Sequence, residues 1–226
     1  LMVLQAAQEL GYSEQRLRSA PQLSRSVLVL TSQEPGTTEN GASAVGGEFE
    51  RRVWVGVHSY LAQQGIAVRL QHSNVTAEEA HLHASDIGVS ALVLLGGVRE
   101  RRFVKVLQSV GIPFVIAGAH LRPLEVDCVM ADVSDGIRQA MHHLIERGRR
   151  HIGFVNGPST TTTSAEKMDA YRLSLALHEL PFNPDFVVVS DFSAESGYQQ
   201  TRRLLQQAAG LDAILYADDL IALGGM

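Results

Sequence analysis

The chain has 226 residues, a formal net charge of −5, 45% hydrophobic residues and 19% charged residues. That is the composition of a globular protein with a real core, in one large domain or two modest ones. The acidic balance excludes a main body built as a nucleic-acid surface, and no apolar run reaches the ~18 residues of a membrane span.

Residues 1–25 differ from the rest, carrying Arg16, Arg18 and Arg25 against Glu9 and Glu14. The apolar start Leu1–Leu10 is broken by Gln5, Gln8 and Glu9 and lacks the basic opening of a secretory signal. The lone Cys128 cannot form an internal disulfide, which fits a reducing cytoplasm. It falls in the apolar run Val126–Met130, where a small buried hydrophobe is expected.

Strands are expected at Ser26–Thr31, Ala67–Gln71, Ala91–Leu95, Pro113–Ala117, Asp127–Met130, His151–Asn156, Phe186–Ser190 and Ala213–Tyr216. Most are continuous apolar runs, the mark of strands buried on both faces of a parallel sheet. Between the first two, Gln33–Gly47 is rich in Gly, Ser, Thr and Asn and reads as a loop. A helix follows at Val53–Gln64, closed by Gly65. Another lies between Ser134 and Gly148, where Ile137, Ala140, Met141, Leu144 and Ile145 make one apolar face. Ser134 or Asp135 is placed to cap it and Gly148 to end it in a left-handed turn. A helix from about Ala165 to Leu180 is stopped by Pro181 and Pro184, one follows Ser193, and a last one starts near Asp218. Alternating strands and helices of this kind build right-handed crossovers and doubly wound α/β sheets.

Several chemistries find no support. Leu94–Arg99 and Ala117–His120 follow strands but continue neither as a dinucleotide fingerprint nor as a P-loop, and no G-x-S-x-G elbow occurs. His81/His83 and His142/His143 do not have the spacing that sets two imidazoles on one helix face. No catalytic residues, metal ligands or cofactor are expected, and the chain is not read as an enzyme.

At His143–Gly157 (HLIERGRRHIGFVNG) the pattern becomes specific. With Asp132–Gly136 before it, and Ser164–Leu177, Asp191–Thr201 and Asp212–Gly225 (DAILYADDLIALGG) after it, the sequence resembles the LacI/GalR family of transcription regulators. The resemblance covers Pro113–Met226 well and the earlier sheet loosely. Val3–Tyr12 is similar to the last helix of that family's helix-turn-helix headpiece, and Gln15–Ala20 to its hinge. At the family's wedging leucine this chain has Pro21, with Leu23 two residues later.

The resemblance implies two doubly wound, periplasmic-binding-protein-like α/β subdomains. On that expectation residues 1–25 are a headpiece and hinge remnant, 26–150 the first subdomain of the effector-binding core, and 151–226 an incomplete second subdomain. It implies a small-molecule effector, sugar-like, held between the subdomains; a homodimer; and operator DNA bound only by the full-length protein, with Arg16 and Arg18 on the hinge. A periplasmic sugar-binding transport protein is the alternative reading. Asp135 falls where a ligand-binding Asp lies, or serves as a helix cap. Lys167 stands where many members have an effector-gripping Arg, or is a solvated helix lysine; its point charge cannot act as a fork. Phe192 falls at a stacking aromatic, or packs in the core. Asp218 replaces an Asn and is the ligand candidate, with Asp219 the cap. Ser32 and Thr160–Thr163 offer hydroxyls at the edges, or are plain loop.

Overall fold

The computed structural model describes residues 26–31, 46–72, 89–95, 101–121, 124–159 and 161–226. Arg16, Arg18, Ser32 and Thr160 lie outside the described residues, as does 33–45 of the expected loop.

Two parallel sheets form. The first joins β1 (Ser26–Thr31), β2 (Ala67–His72), β3 (Ala91–Leu95), β4 (Phe114–Ala117) and β5 (Cys128–Val129) in the order β2-β1-β3-β4-β5. The second joins β6 (Ile152–Asn156), β7 (Val187–Val189) and β8 (Ala213–Tyr216) in the order β7-β6-β8. Every described pairing is parallel, as the continuous apolar runs require.

The crossovers are helical. In the first layer α1 spans Gly46–Gln63 and α2 spans Arg101–Val110. The helix α1 starts seven residues before the expected Val53, so Gly46 and Gly47 belong to it rather than to the loop. No helix is named at Arg101–Val110 from the sequence. Its short apolar face, Phe103, Val104 and Leu107, packs on Leu92, Leu94 and Ile116 of the sheet. Cys128 is exposed on the edge strand β5, not buried as expected. A sheet edge leaves one flank of the strand without a neighbour to cover it.

Three of the next helices build the second layer: α3 (Val133–Glu146), α4 (Thr162–Leu177) and α5 (Ala194–Gln207). The cap of α3 is neither Ser134 nor Asp135. Asp132 accepts the Asp135 backbone N–H at 2.8 Å, because its carboxylate sits one turn below the N3 donor. Gly148 ends this helix at φ 82°, and Arg149 N–H returns to Leu144 at 3.0 Å. The buried face of α3 (Ile137, Met141, Ile145) belongs to the second cluster, with Ile152, Phe154, Tyr171 and Leu204. The expected boundary at residue 150 thus falls after a helix that packs in the second layer. Tyr171 stacks on Phe154 with centroids 5.0 Å apart, and its hydroxyl donates to the Ile152 carbonyl at 2.7 Å. Each fully buried large apolar side chain of this kind contributes roughly 1.5–3 kcal/mol.

The helix α4 stops at Leu177, short of the expected Leu180. His178 caps it and Glu179 turns left-handed at φ 56°, and Leu180, the residue before Pro181, is disfavoured from continuing the helix. A 3-10 turn at Pro184–Phe186 then delays β7 by one residue. The chain closes on α6 (Asp219–Gly225), against α5: a Cβ on Gly197 would lie 2.3 Å from the Ile221 carbonyl oxygen, and one on Gly224 1.8 Å from that of Ala194. No helix of the described residues is long and apolar enough to cross a membrane.

Candidate effector site

The carboxyl ends of β6, β7 and β8 point to one face of the second sheet. In parallel α/β sheets this is where ligands bind. The backbone ladder runs on past the strands, with Ser190 N–H on the Asn156 carbonyl at 2.8 Å and Ala217 N–H on Val155 at 2.9 Å. Four turns therefore meet there: Asn156–Gly157 after β6, the first turns of α4, Ser190–Ser193 after β7, and Ala217–Asp218 after β8.

Lys167 and Asp218 are brought together. Lys167 is half-buried, and its Nζ donates to the Ala217 carbonyl at 2.7 Å, beside the Asp218 carboxylate. It is not a solvated helix lysine. Burial lowers its pKa from the ordinary lysine range, and the Asp218 charge offsets part of that. Burial also raises the Asp218 pKa, against the Ile221 N–H and the Lys167 charge, which pull it down.

The expected division of labour between Asp218 and Asp219 is reversed at the cap. Asp218 is the N-cap of α6, its Oδ1 accepting the Ile221 N–H at 2.8 Å, while Asp219 is exposed in the first turn. The cap residue must be extended, and Asp218 is, at φ −151° and ψ 173°.

Phe192 is half-buried at the edge of the second core. Its backbone is left-handed, φ 70°, an uncommon state for a bulky residue that marks a site worth inspecting. The tip of its ring lies on Gly157: a Cβ built there would be 2.1 Å from Phe192 Cζ and 2.6 Å from Ser164 Oγ. The turn is tied by Ser190 Oγ, which accepts Phe192 N–H at 3.3 Å, and by Asp191 Oδ1, which accepts Ser193 N–H at 2.9 Å. Burial pushes the Asp191 carboxyl up, but hydrogen bonds from Ser193, Ser196 and its own backbone hold it below the usual range.

None of the hydrogen bonds of Asp135 reaches this group. Its carboxylate is engaged within α3, by Arg138 at 2.6 Å and Gln139 at 2.5 Å. Thr161 of the threonine run is the N-cap of α4, accepting Ser164 N–H at 3.3 Å.

The structure adds residues that the sequence reading passes over. Asn156 is 4% exposed at the end of β6; its amide donates to the Ser164 carbonyl at 2.9 Å, and its Oδ1 has no partner. Glu50 of α1 is buried and accepts the hydroxyl of Thr31, the last residue of β1. His120, beyond β4, bonds Glu166 of α4. An interior acid or amide in a sequence carries no local signature, so only its position at a strand end could have marked it.

A hollow of about 560 Å³ lies beside Asp218, but neither Lys167 nor Phe192 lines it. It runs between α3 and β8, which is an edge strand among the described residues.

Comparison with known proteins gives a consistent set. A family model described as periplasmic binding proteins and sugar binding domain of LacI family matches residues 49–226. The HTH-type transcriptional regulator CelR of Thermobifida fusca is 28% identical over 228 residues, covering 99% of this chain and 66% of that protein. The HTH-type transcriptional repressor PurR of Actinobacillus pleuropneumoniae is 24% identical over 227 residues, covering 99% and 65%. A solved CelR–cellobiose complex superposes with a TM-score of 0.73 at 27% identity, over 99% of this chain and 66% of that one. The chain thus spans just under two thirds of the length of the relatives it matches. With a match that covers most of its length, the chain belongs to the family of periplasmic binding proteins and sugar-binding domains of LacI-type regulators.

Proposed function

We propose that this chain is the effector-sensing core of a LacI-type transcription regulator, and that its effector is a neutral sugar. The observation that carries the reading is the half-buried Lys167–Asp218 pair at the same strand ends as the left-handed Phe192. Sugar hydroxyls need charged or amide groups that accept and donate together, and the C–H face of the ring needs an aromatic. Lys167 supplies the donor, Asp218 the acceptor and Phe192 the apolar face. Asp135 and Ser32 are further contacts in this reading. Because the Asp218 charge lies near Lys167, a phosphate placed there would meet a repelling carboxylate beside the cation. A neutral glycoside avoids that repulsion.

Binding between the layers would shift their relative arrangement. In a cytoplasmic homodimer of the full-length protein, that shift would change affinity for operator DNA, a coupling between two sites. The hinge around Arg16 and Arg18 is the proposed DNA-proximal segment. The core catalyses no reaction in this reading.

A thermal-shift screen of the intact protein tests it, with cellobiose as the first probe because a relative is solved with that sugar. Simple sugars, sugar phosphates and purines follow. A ligand that binds only the native state raises Tm with concentration. A rise with a neutral sugar, lost in Phe192→Ala and Asp218→Ala, is the expected result. A rise with sugar phosphates alone would overturn the neutral-effector assignment.

A further inference from the structure

His120 and Glu166 join the two cores. His120 lies between Ala119 and Leu121, both buried in the first cluster. Its loop is also held by α1: at Gly118, φ 89°, a Cβ would fall 2.6 Å from Phe49 Cε1. Glu166 sits on α4, whose Ala170, Tyr171 and Leu175 are buried in the second cluster. His120 Nε2 meets Glu166 Oε1 across that junction.

Both side chains are largely shielded, at 16% and 26% exposure, which strengthens a charge-assisted bond relative to one in water. With Nε2 protonated, the imidazole donates to the carboxylate and leaves Nδ1 as a bare acceptor. That Nδ1 is buried and has no hydrogen-bond partner among the described residues.

Glu166 immediately precedes Lys167, and Lys167 is itself tied to the turn before α6. We propose that the His120–Glu166 bridge is a positioning pair. It sets the first turns of α4, and with them Lys167, according to where the first core lies. Relative motion of the cores reaches the effector site through this bridge. The consequence for ligand affinity rests on the effector reading above; the bridge itself does not.

Hydrogen exchange in the intact protein tests the pair without any ligand. The variants are His120→Ala, Glu166→Ala and the swap His120→Glu/Glu166→His. In each single variant, amides of residues 118–121 and 162–168 should exchange roughly 3- to 10-fold faster, while those of β1 and β6 keep their wild-type rates. The swap should restore most of the protection. Calorimetry with cellobiose forms a second arm: the single variants should weaken binding by a similar factor, roughly 3- to 10-fold, and the swap should recover it. If the wild type does not bind cellobiose, the choice of sugar is at fault and exchange still decides the bridge. Unchanged exchange in the single variants, equal acceleration in every segment, or a swap that restores nothing would overturn the proposal.

Discussion

The ring of Phe192 rests on Gly157, so closely that a Cβ at residue 157 would lie 2.1 Å from Cζ and 2.3 Å from Cε1 of the ring. The ring that forms the aromatic face of the proposed site is therefore positioned by the absence of a side chain at residue 157, just past β6. Gly157→Ala should push the ring outward and displace Ser164 Oγ as well. The expected cost is about 1–3 kcal/mol of stability, the usual range for overpacking. Sugar binding should weaken more than stability does, because the stacking face itself moves. Urea unfolding and calorimetry on the same variant separate the two effects.

Phe192 also pays a backbone cost at φ 70° that glycine would not. Its partial packing against the second core works the other way. Phe192→Ala and Phe192→Gly lose the same ring, but only the glycine variant relieves the left-handed strain. The glycine variant should therefore be the more stable of the two by about 1 kcal/mol, the reverse of the usual order in ordered segments. Both should lose sugar binding. Paired thermal melts check the order, and an alanine variant that melts higher would show that the backbone cost is relieved elsewhere.

Lys167 and Asp218 predict a dependence on charge state. Burial lowers the first pKa and raises the second, so each charge is disfavoured in the fold even though the two oppose one another. For Asp218 the folded pKa lies above the unfolded one, so its contribution falls as pH rises through the folded value. For Lys167 the folded pKa lies below the unfolded one, so its penalty is present at lower pH and fades as pH rises through the folded value. Lys167→Met alone leaves the Ala217 carbonyl without its donor, removes the charge near Asp218, and should cost about 1–2 kcal/mol. Lys167→Met/Asp218→Asn keeps a capping residue and should be near wild type at pH ~7. A double-mutant cycle by denaturant unfolding measures the coupling, expected at about 0.5–2 kcal/mol. Single losses that simply add would remove the pair from the account.

Much of this architecture is written locally. The strands Ser26–Thr31 and Ala91–Leu95 coincide with the apolar runs because a doubly buried strand must be apolar throughout; Ala213–Tyr216 coincides as well, although it is half-buried at a sheet edge among the described residues. The helix Arg101–Val110 is harder to read, since its apolar face is only Phe103, Val104 and Leu107 among charged and polar residues. Caps are legible as a kind but not as a residue. Asp132, Ser134 and Asp135 all have capping chemistry, as do Asp218 and Asp219, and only the turn geometry picks Asp132 and Asp218. Phe192 and Lys167 were marked by family resemblance, while the Ala217 carbonyl that holds Lys167 is a backbone atom with no sequence signal. His120 and Glu166 meet across 46 positions, a distance over which no spacing rule operates.

Asp212 supplies the acid sensitivity of the second sheet. Its two carboxylate oxygens accept the backbone N–H groups that lead into β6, Arg150 at 2.7 Å and His151 at 3.1 Å. Burial pushes this carboxyl up, but those two N–H donors and the nearby His151 and Arg149 charges outweigh it and hold the pKa below its ordinary 3.8. A carboxyl with a lowered folded pKa contributes stability that is fully present above the unfolded value and lost as pH falls through the folded one. Asp212→Ala removes both acceptors and should cost about 1–2 kcal/mol at pH ~7. The gap between variant and wild type should narrow as pH falls from the unfolded value of 3.8 through the lower folded one, below which the wild-type carboxyl is itself protonated. Urea midpoints across that pH range are the measurement. A gap that stays constant to low pH would mean that Asp212 acts by shape and neutral hydrogen bonding, with its charge irrelevant to the start of β6.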